Sequence, residues 1–383
     1  MSGFLPELDL SANRLEVARR QAAARGYIDL TSSNPTHQGL RFPERILRAA
    51  ADGYWQARRY DPDPRGLPAA REAVSRYYAQ RAGVAPADAF CTASTSEAYS
   101  LLFALLAEPG DNLLAPDVTY PLFDYLAAMH RIELRLYHLE EERGWRIDPI
   151  SLKVQADRRT RGVLIVSPHN PTGMVVSQPQ PALDALGLPV VCDEVFAEFP
   201  YGLARVPALA ALHPGLPVFT LNGISKLFAL PDLKLGWIAL NAPAAGRYSE
   251  RLELLNDTFL GASTLIQAML PALFERGWEF VEEMRARIRS NLDLALSALA
   301  SCPRLRARPP DGGYYLFPRA LECDDEEQLA LALLEQGVLA HPGYFYGCEP
   351  EQGTGHLMIS CLTEPGALRA GVEVLTRFLG RRA

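Results

Sequence analysis

The chain has 383 residues, 48% of them hydrophobic and 22% charged, which leaves room for two or three packed units and excludes disordered, collagenous and disulfide-scaffold classes. Its 45 acidic residues against 38 basic ones give a formal charge of −7, so no basic field invites nucleic acid or an anionic membrane, and a small-molecule enzyme becomes the default. The six cysteines (Cys91, Cys192, Cys302, Cys323, Cys348 and Cys361) show neither a CxxC nor a histidine at metal-ligand spacing, so reduced, buried thiols are expected and a zinc site is not.

Glu7, Asp9, Arg14, Glu16, Arg19 and Arg20 leave no space for the apolar core of a signal peptide, and no uncharged apolar run approaches the ~18 residues of a membrane span. The expected compartment is the cytoplasm. The first forty residues hold one helical stretch (Arg14–Arg25) and the Asn34-Pro35 turn, too little for a domain. A helix follows over Arg65–Arg81, with Leu67, Ala70, Val74 and Tyr77 on one stripe. Between Phe90 and Leu240 short apolar runs alternate with amphipathic stretches. Asn112–Ala115, Gly162–Val166, Val190–Cys192, Val218–Leu221 and Gly236–Leu240 read as strands buried on both faces of a mostly parallel sheet, and Glu97–Ala107 reads as a helix. Beyond Pro271 come a long charged helix (Trp278–Leu299), a proline-rich break at Pro303–Pro310, and shorter strand and helix signals. The expected division is an N-terminal segment (1–40), a large domain (41–275) and a smaller C-terminal domain (276–383) on which the N-terminal segment packs. No internal repeat or low-complexity tract is visible.

Four segments fall at the C-terminal ends of these strands, where an open α/β sheet binds its ligand. Ser94-Thr95-Ser96-Glu97 opens a helix, so hydroxyls and free N–H groups face whatever lies at its N-terminus, and a phosphate would suit. Ser167-Pro-His-Asn-Pro-Thr-Gly173 is a turn that presents Asn170. Asp193-Glu194 ends an apolar strand, where a lone carboxylate needs a cationic partner. Asn222-Gly-Ile-Ser-Lys226 sets a lysine among small and apolar residues, where removal from water favours a nucleophilic amine. Each has an ordinary explanation on its own: an N-cap, a turn, an acid in an ion pair, a lysine reaching to solvent.

Together with Tyr60 ahead of Arg65-Gly66-Leu-Pro-Ala-Ala-Arg71, the segment Thr92–Ala98, Val118-Thr-Tyr120-Pro121, His169 to Gly173 with Asp193-Glu-Val-Phe196, and Ser225-Lys226 through Gly236, the ordered set resembles the fold-type I pyridoxal 5′-phosphate enzymes, specifically the class I/II aminotransferases, over roughly residues 28 to 362. The resemblance implies an α/β fold: a large domain on a mostly parallel seven-stranded sheet with helices on both faces, plus a smaller α/β C-terminal domain joined by the N-terminal segment. It implies that Lys226 forms the Schiff base with the cofactor and shuttles the substrate proton, that Asp193 pairs with the pyridine nitrogen, that Tyr120 stacks on the ring and that Asn170 donates to the 3′-oxygen. Ser94, Thr95, Ser96, Ser225 and Lys234 would hold the phosphate, with Tyr60 reaching it from the other subunit of a homodimer.

Three positions depart from the family pattern. Phe196 stands where a tyrosine usually donates to the 3′-oxygen, Lys234 where an arginine usually grips the phosphate, and Met358 where an arginine usually clamps the substrate carboxylate. Arg41, in a segment with Asn34 that should border the pocket, is the candidate replacement cation. The reaction expected is amino-group transfer between an amino donor and a keto acceptor. A lyase or decarboxylase on the same fold stays open because the carboxylate arginine is missing. So does a non-catalytic, aminotransferase-like protein, although regulators of that kind carry a basic DNA-binding domain ahead of the match.

Overall fold

In the computed structural model, which describes residues 11–349 and 353–381, seven strands form the principal sheet. They are β1 (Asp88–Thr92), β2 (Asn112–Pro116), β3 (Glu133–Tyr137), β4 (Thr160–Val166), β5 (Val190–Asp193), β6 (Val218–Gly223) and β7 (Gly236–Leu240). The order across the sheet is β1-β7-β6-β5-β4-β2-β3, and only β7 runs antiparallel to its neighbours.

The strand period of two sorts the side chains into two cores. Phe90, Leu164, Val191, Phe219, Leu221 and Ile238 face helices Thr95–Leu106 and Ala242–Thr258, while Cys91, Ile165, Cys192, Val218 and Trp237 face helices that include Pro68–Ala82. That double cover is why β2, β5, β6 and β7 are buried at every residue. All five expected strands are present. β3 escaped the apolar-run criterion because it is an edge strand on which Glu133 and Leu136 are exposed.

The expected helix Arg65–Arg81 begins later, at Pro68, because Gly66 takes φ +97° and Pro68 occupies the first turn, where its missing N–H costs nothing. The helix expected at Glu97 begins at Thr95, and the one expected over Arg14–Arg25 ends at Ala22. Pro271 lies inside helix Thr264–Arg276.

A second sheet gathers around the strand Thr354–Ser360, with Leu305–Arg306, Tyr315–Leu316, Arg319–Leu321 and His341–Pro342. Helix Arg14–Ala22 lies on helix Glu326–Glu335, and Ile28–Asp29 pairs in parallel with Val338–Leu339. Leu30 then accepts a hydrogen bond from the Ser360 amide at 2.6 Å, and the Gln38 side chain accepts one from the Glu364 amide at 2.9 Å. Glu7 and Asp9, with the rest of the first ten residues, lie outside the described residues. All six cysteines are free and buried. Among the described residues no helix is long and apolar enough to cross a membrane, and no cluster of His, Cys, Asp and Glu could hold a metal ion.

Candidate active site

The ends of β1, β7, β6, β5 and β4 lie side by side: Thr92 pairs with Gly236, Gly236 with Gly223, Leu221 with Asp193, and Asp193 with Val166. Gly236 makes this edge tight. A Cβ there would sit 2.9 Å from the Ser94 carbonyl carbon and 3.0 Å from the Thr95 nitrogen, so only glycine lets β7 press against the start of helix Thr95–Leu106. The Ser94 hydroxyl oxygen caps that helix by accepting from the Glu97 amide at 3.1 Å, and the Glu97 carboxylate accepts from the Ala93 amide. The N-cap explanation is therefore correct for the Ser94 oxygen. Its hydroxyl hydrogen, the half-buried hydroxyls of Thr95 and Ser96, and the amides of Thr95 and Ser96, which no intrahelical acceptor can reach, remain available as donors.

Asn170 sits on a turn closed by the Gly173 amide donating to the His169 carbonyl at 2.8 Å. Gly173 takes φ +71°, and a Cβ there would lie 2.3 Å from Pro310, so glycine is required twice over. The Ser167–Pro168 and Asn170–Pro171 peptides are both cis. The Asn170 Oδ1 is buried without a hydrogen-bond partner in the protein.

Asp193 is buried, and its two oxygens accept from the Val195 amide and the Tyr99 hydroxyl, each at 3.0 Å. Burial pushes its carboxyl up to about 6, against the pull of those two donors and of the Lys226 charge. An acid at this strand end was expected to have a cationic partner, and the arginine goes to its neighbour instead. Arg81 Nη1 lies 2.9 Å from Glu194 Oε2, and Arg81 Nε lies 3.1 Å from Glu198. The Glu194 carbonyl accepts from the Asn222 side chain at 2.9 Å, and the Asn222 oxygen accepts from the Gly223 amide at 2.7 Å, which fixes the turn leading to Ser225 and Lys226. Both of those residues are half-buried.

Around this edge, the Phe196 ring meets Tyr314 and Tyr315 edge-on at 4.9 and 5.7 Å. Burial pushes the Tyr315 phenol well above its usual range, and the Lys226 charge works against that rise. Tyr120 is 49% exposed at the entrance to helix Leu122–His130, and Tyr60 is 72% exposed. Lys234 is exposed at φ +53° just before β7. The Asn34 oxygen accepts from the Thr36 amide and hydroxyl, forming a local turn. Arg41 is exposed between buried Leu40 and Phe42, and Met358 is buried opposite His341, whose Nδ1 lies 3.1 Å from the Tyr346 hydroxyl. Tyr99 and Tyr315 were not singled out from the sequence. A tyrosine one turn into an otherwise apolar buried helix face was the available signal for Tyr99, since a buried hydroxyl requires a partner.

This chain belongs to the class I and II aminotransferase family, whose pattern matches residues 25–375. Human tyrosine aminotransferase is 30% identical over 267 residues, covering 67% of this chain and 59% of that protein, so the chain spans about three-fifths of that relative. The glutamate-pyruvate aminotransferase AlaA of Haemophilus influenzae is 28% identical over 384 residues, covering 95% of this chain and 93% of that one. Among solved structures, an aminotransferase from Escherichia coli superposes with a TM-score of 0.87 at 24% identity, covering 100% of this chain and 98% of that one. Alanine aminotransferase from Pyrococcus furiosus does so with a TM-score of 0.85 at 22% identity, covering 97% of this chain and 100% of that one. These likenesses establish the α/β fold with its mixed seven-stranded sheet.

Proposed function

We propose that this protein is a pyridoxal 5′-phosphate-dependent aminotransferase that moves an amino group reversibly between a small-molecule amino donor and a keto acceptor. The observation that carries this reading is Asp193, a buried carboxylate hydrogen-bonded by two neutral donors while the nearby arginine is engaged by Glu194. Such a group is suited to a cation brought in from outside, and a protonated ring nitrogen is one. The Asn170 side-chain NH2 can donate to the cofactor's ring oxygen, and the free donors at Ser94, Thr95 and Ser96 fit its phosphate.

When bound, the cofactor supplies a ring that withdraws electrons from the substrate α-carbon. Asp193 would keep the ring nitrogen protonated, Asn170 would hold the ring oxygen, and Tyr120 would cover one ring face. Ser94, Thr95, Ser96, Ser225 and Lys234 would bind the phosphate. Lys226 would hold the cofactor covalently at rest and then carry the proton to and from the substrate α-carbon. The Phe196 ring, packed on Tyr314 and Tyr315, would close the apolar side of the pocket and offer no hydrogen bond.

The reading includes a homodimer in which Tyr60 reaches the partner's phosphate. Exposed Trp55, Tyr60, Phe259 and Leu260 supply the apolar surface such an interface needs. It also includes a cofactor-bearing domain over residues 41–275, a smaller one over 276–383, and a cytoplasmic location.

Borohydride reduction of the cofactor-loaded protein, followed by peptide mapping, is the test. A pyridoxyl group on Lys226 is the expected result, and a label elsewhere or none overturns the assignment. Release of ammonia or carbon dioxide from the donor, without conversion of an acceptor, would point to a lyase or decarboxylase instead.

A further inference from the structure

Tyr99 lies on the fourth residue after Thr95, one turn into the helix whose N-terminus carries the free donors. Its ring is wedged edge-on between Phe103 and Phe123, at 6.1 and 4.8 Å, so its direction is set by packing. Its hydroxyl, fully buried, donates to Asp193 Oδ2 at 3.0 Å. A plain core position would have been filled by phenylalanine, as Phe103 and Phe123 are. A buried phenol is tolerated only with a partner, and the partner here is the carboxylate at the end of β5. We propose that Tyr99 is a positioning residue that holds Asp193 ionised and oriented toward the cofactor ring nitrogen, so that one helix serves both ends of the cofactor, the phosphate at its first turn and the ring nitrogen at its second. This rests on the reading of Asp193 given above.

The groups facing Asp193 are few. Glu194, just past the end of the strand, raises its affinity for a proton, Lys226 beyond β6 lowers it, and the Tyr99 hydroxyl and Val195 amide lower it as donors. Cys192 and Tyr137 act on Tyr99 from the neighbouring strands, and together with burial and Asp193 they hold the phenol protonated, so it remains a donor throughout the useful pH range.

A hydrogen bond to an ionised carboxylate is worth more than one to a neutral acid, which gives the test its signature. In the cofactor-free protein, Tyr99→Phe should cost more stability at about pH 8, where Asp193 is charged, than at about pH 5, where it is largely neutral. The extra loss should vanish in an Asp193→Asn background. A purely structural role for the ring predicts the same loss at both pH values and in both backgrounds, and that result overturns the proposal. In the loaded protein, Tyr99→Phe should weaken pyridoxal 5′-phosphate binding about tenfold or more near neutral pH, while Phe123→Leu, which loosens the packing and keeps the hydroxyl, should show no comparable pH dependence. If the native protein does not bind pyridoxal 5′-phosphate, the functional reading fails, and the cofactor-free melts still decide whether Tyr99 supports the Asp193 charge. Should Tyr99→Phe not fold, a site-specific 3-fluorotyrosine at position 99 keeps the ring and donates more strongly. It should shift the Asp193 step in the cofactor-free melts to lower pH, and an unmoved step counts against the proposal.

Discussion

Arg81 and Glu194 form an ion pair at 2.9 Å, with side chains only 8% and 0% exposed, one residue along the chain from an aspartate that has no such pair. Arg81 also reaches Glu198, which accepts from the Tyr77 hydroxyl at 2.7 Å and shares its other oxygen with the Arg285 guanidinium. Removing it leaves Glu194 without a counter-charge, while Glu198 keeps Arg285. Arg81→Met should destabilise the protein by about 3–5 kcal/mol, and adding Glu194→Gln should recover part of that loss. Denaturant unfolding of the two variants measures this, and a loss within about 0.5 kcal/mol would mean the pair is structurally idle.

His169 is buried, and burial lowers its imidazole to about 4 from the ordinary 6.5. The unfolded chain therefore binds a proton that the folded one refuses. The stabilisation is complete above about pH 6.5 and is lost as pH falls toward about 4, by roughly 3 kcal/mol. Asp193, held up by burial, works in the opposite sense between its ordinary 3.8 and about 6. Comparing native protein with His169→Gln isolates the first effect: the stability difference between them should change steadily as pH falls through this window, and a flat difference refutes it.

Lys234 adopts φ +53°, a demand that lysine and arginine meet equally, so Lys234→Arg changes the head group without changing the backbone cost. A guanidinium can grip a phosphate at two points where an ammonium makes a point contact. The variant should lose cofactor more slowly on dialysis. Faster loss would show that Lys234 does not face the phosphate.

Met358 is 2% exposed, so a guanidinium placed there would be buried without a carboxylate until substrate supplies one. Met358→Arg should lower the melting temperature of the ligand-free protein, and carboxylate substrates should restore it. If the exposed Arg41 serves that role in the native protein, Arg41→Met should raise KM for amino acids strongly. A silent Arg41→Met together with better turnover of simple amines would mean that the pocket does not hold a free α-carboxylate.

The interior of the principal sheet was legible because burial on both faces forces continuous apolar runs, as in Val190–Asp193 and Val218–Gly223. The edge strand Glu133–Tyr137 was not, since one exposed side permits Glu133 and Arg135 and breaks the run. At the site, Ser94, Asn170, Asp193 and Lys226 stood out because strand ends and turns concentrate polar residues. The donor on Asp193 stood out less: a tyrosine on an apolar helix face signals that its hydroxyl needs a partner, but Tyr99 and Asp193 are 94 positions apart, and nothing local says which residue that partner is. The same gap hid which of the adjacent acids Arg81 would meet.

The pairing of Ile28–Asp29 with Val338–Leu339 bears on how the chain is made. A ribosome delivers the first of these strands roughly three hundred residues before the second, so Ile28 and Leu30 emerge with unsatisfied amides and apolar side chains that nothing yet covers. The principal sheet can assemble in the meantime from contacts of shorter span, whereas this closure must wait for nearly the whole chain. Nascent chains arrested before Val338 should therefore leave the early strand open to proteases or chaperones while the seven-stranded sheet is already protected.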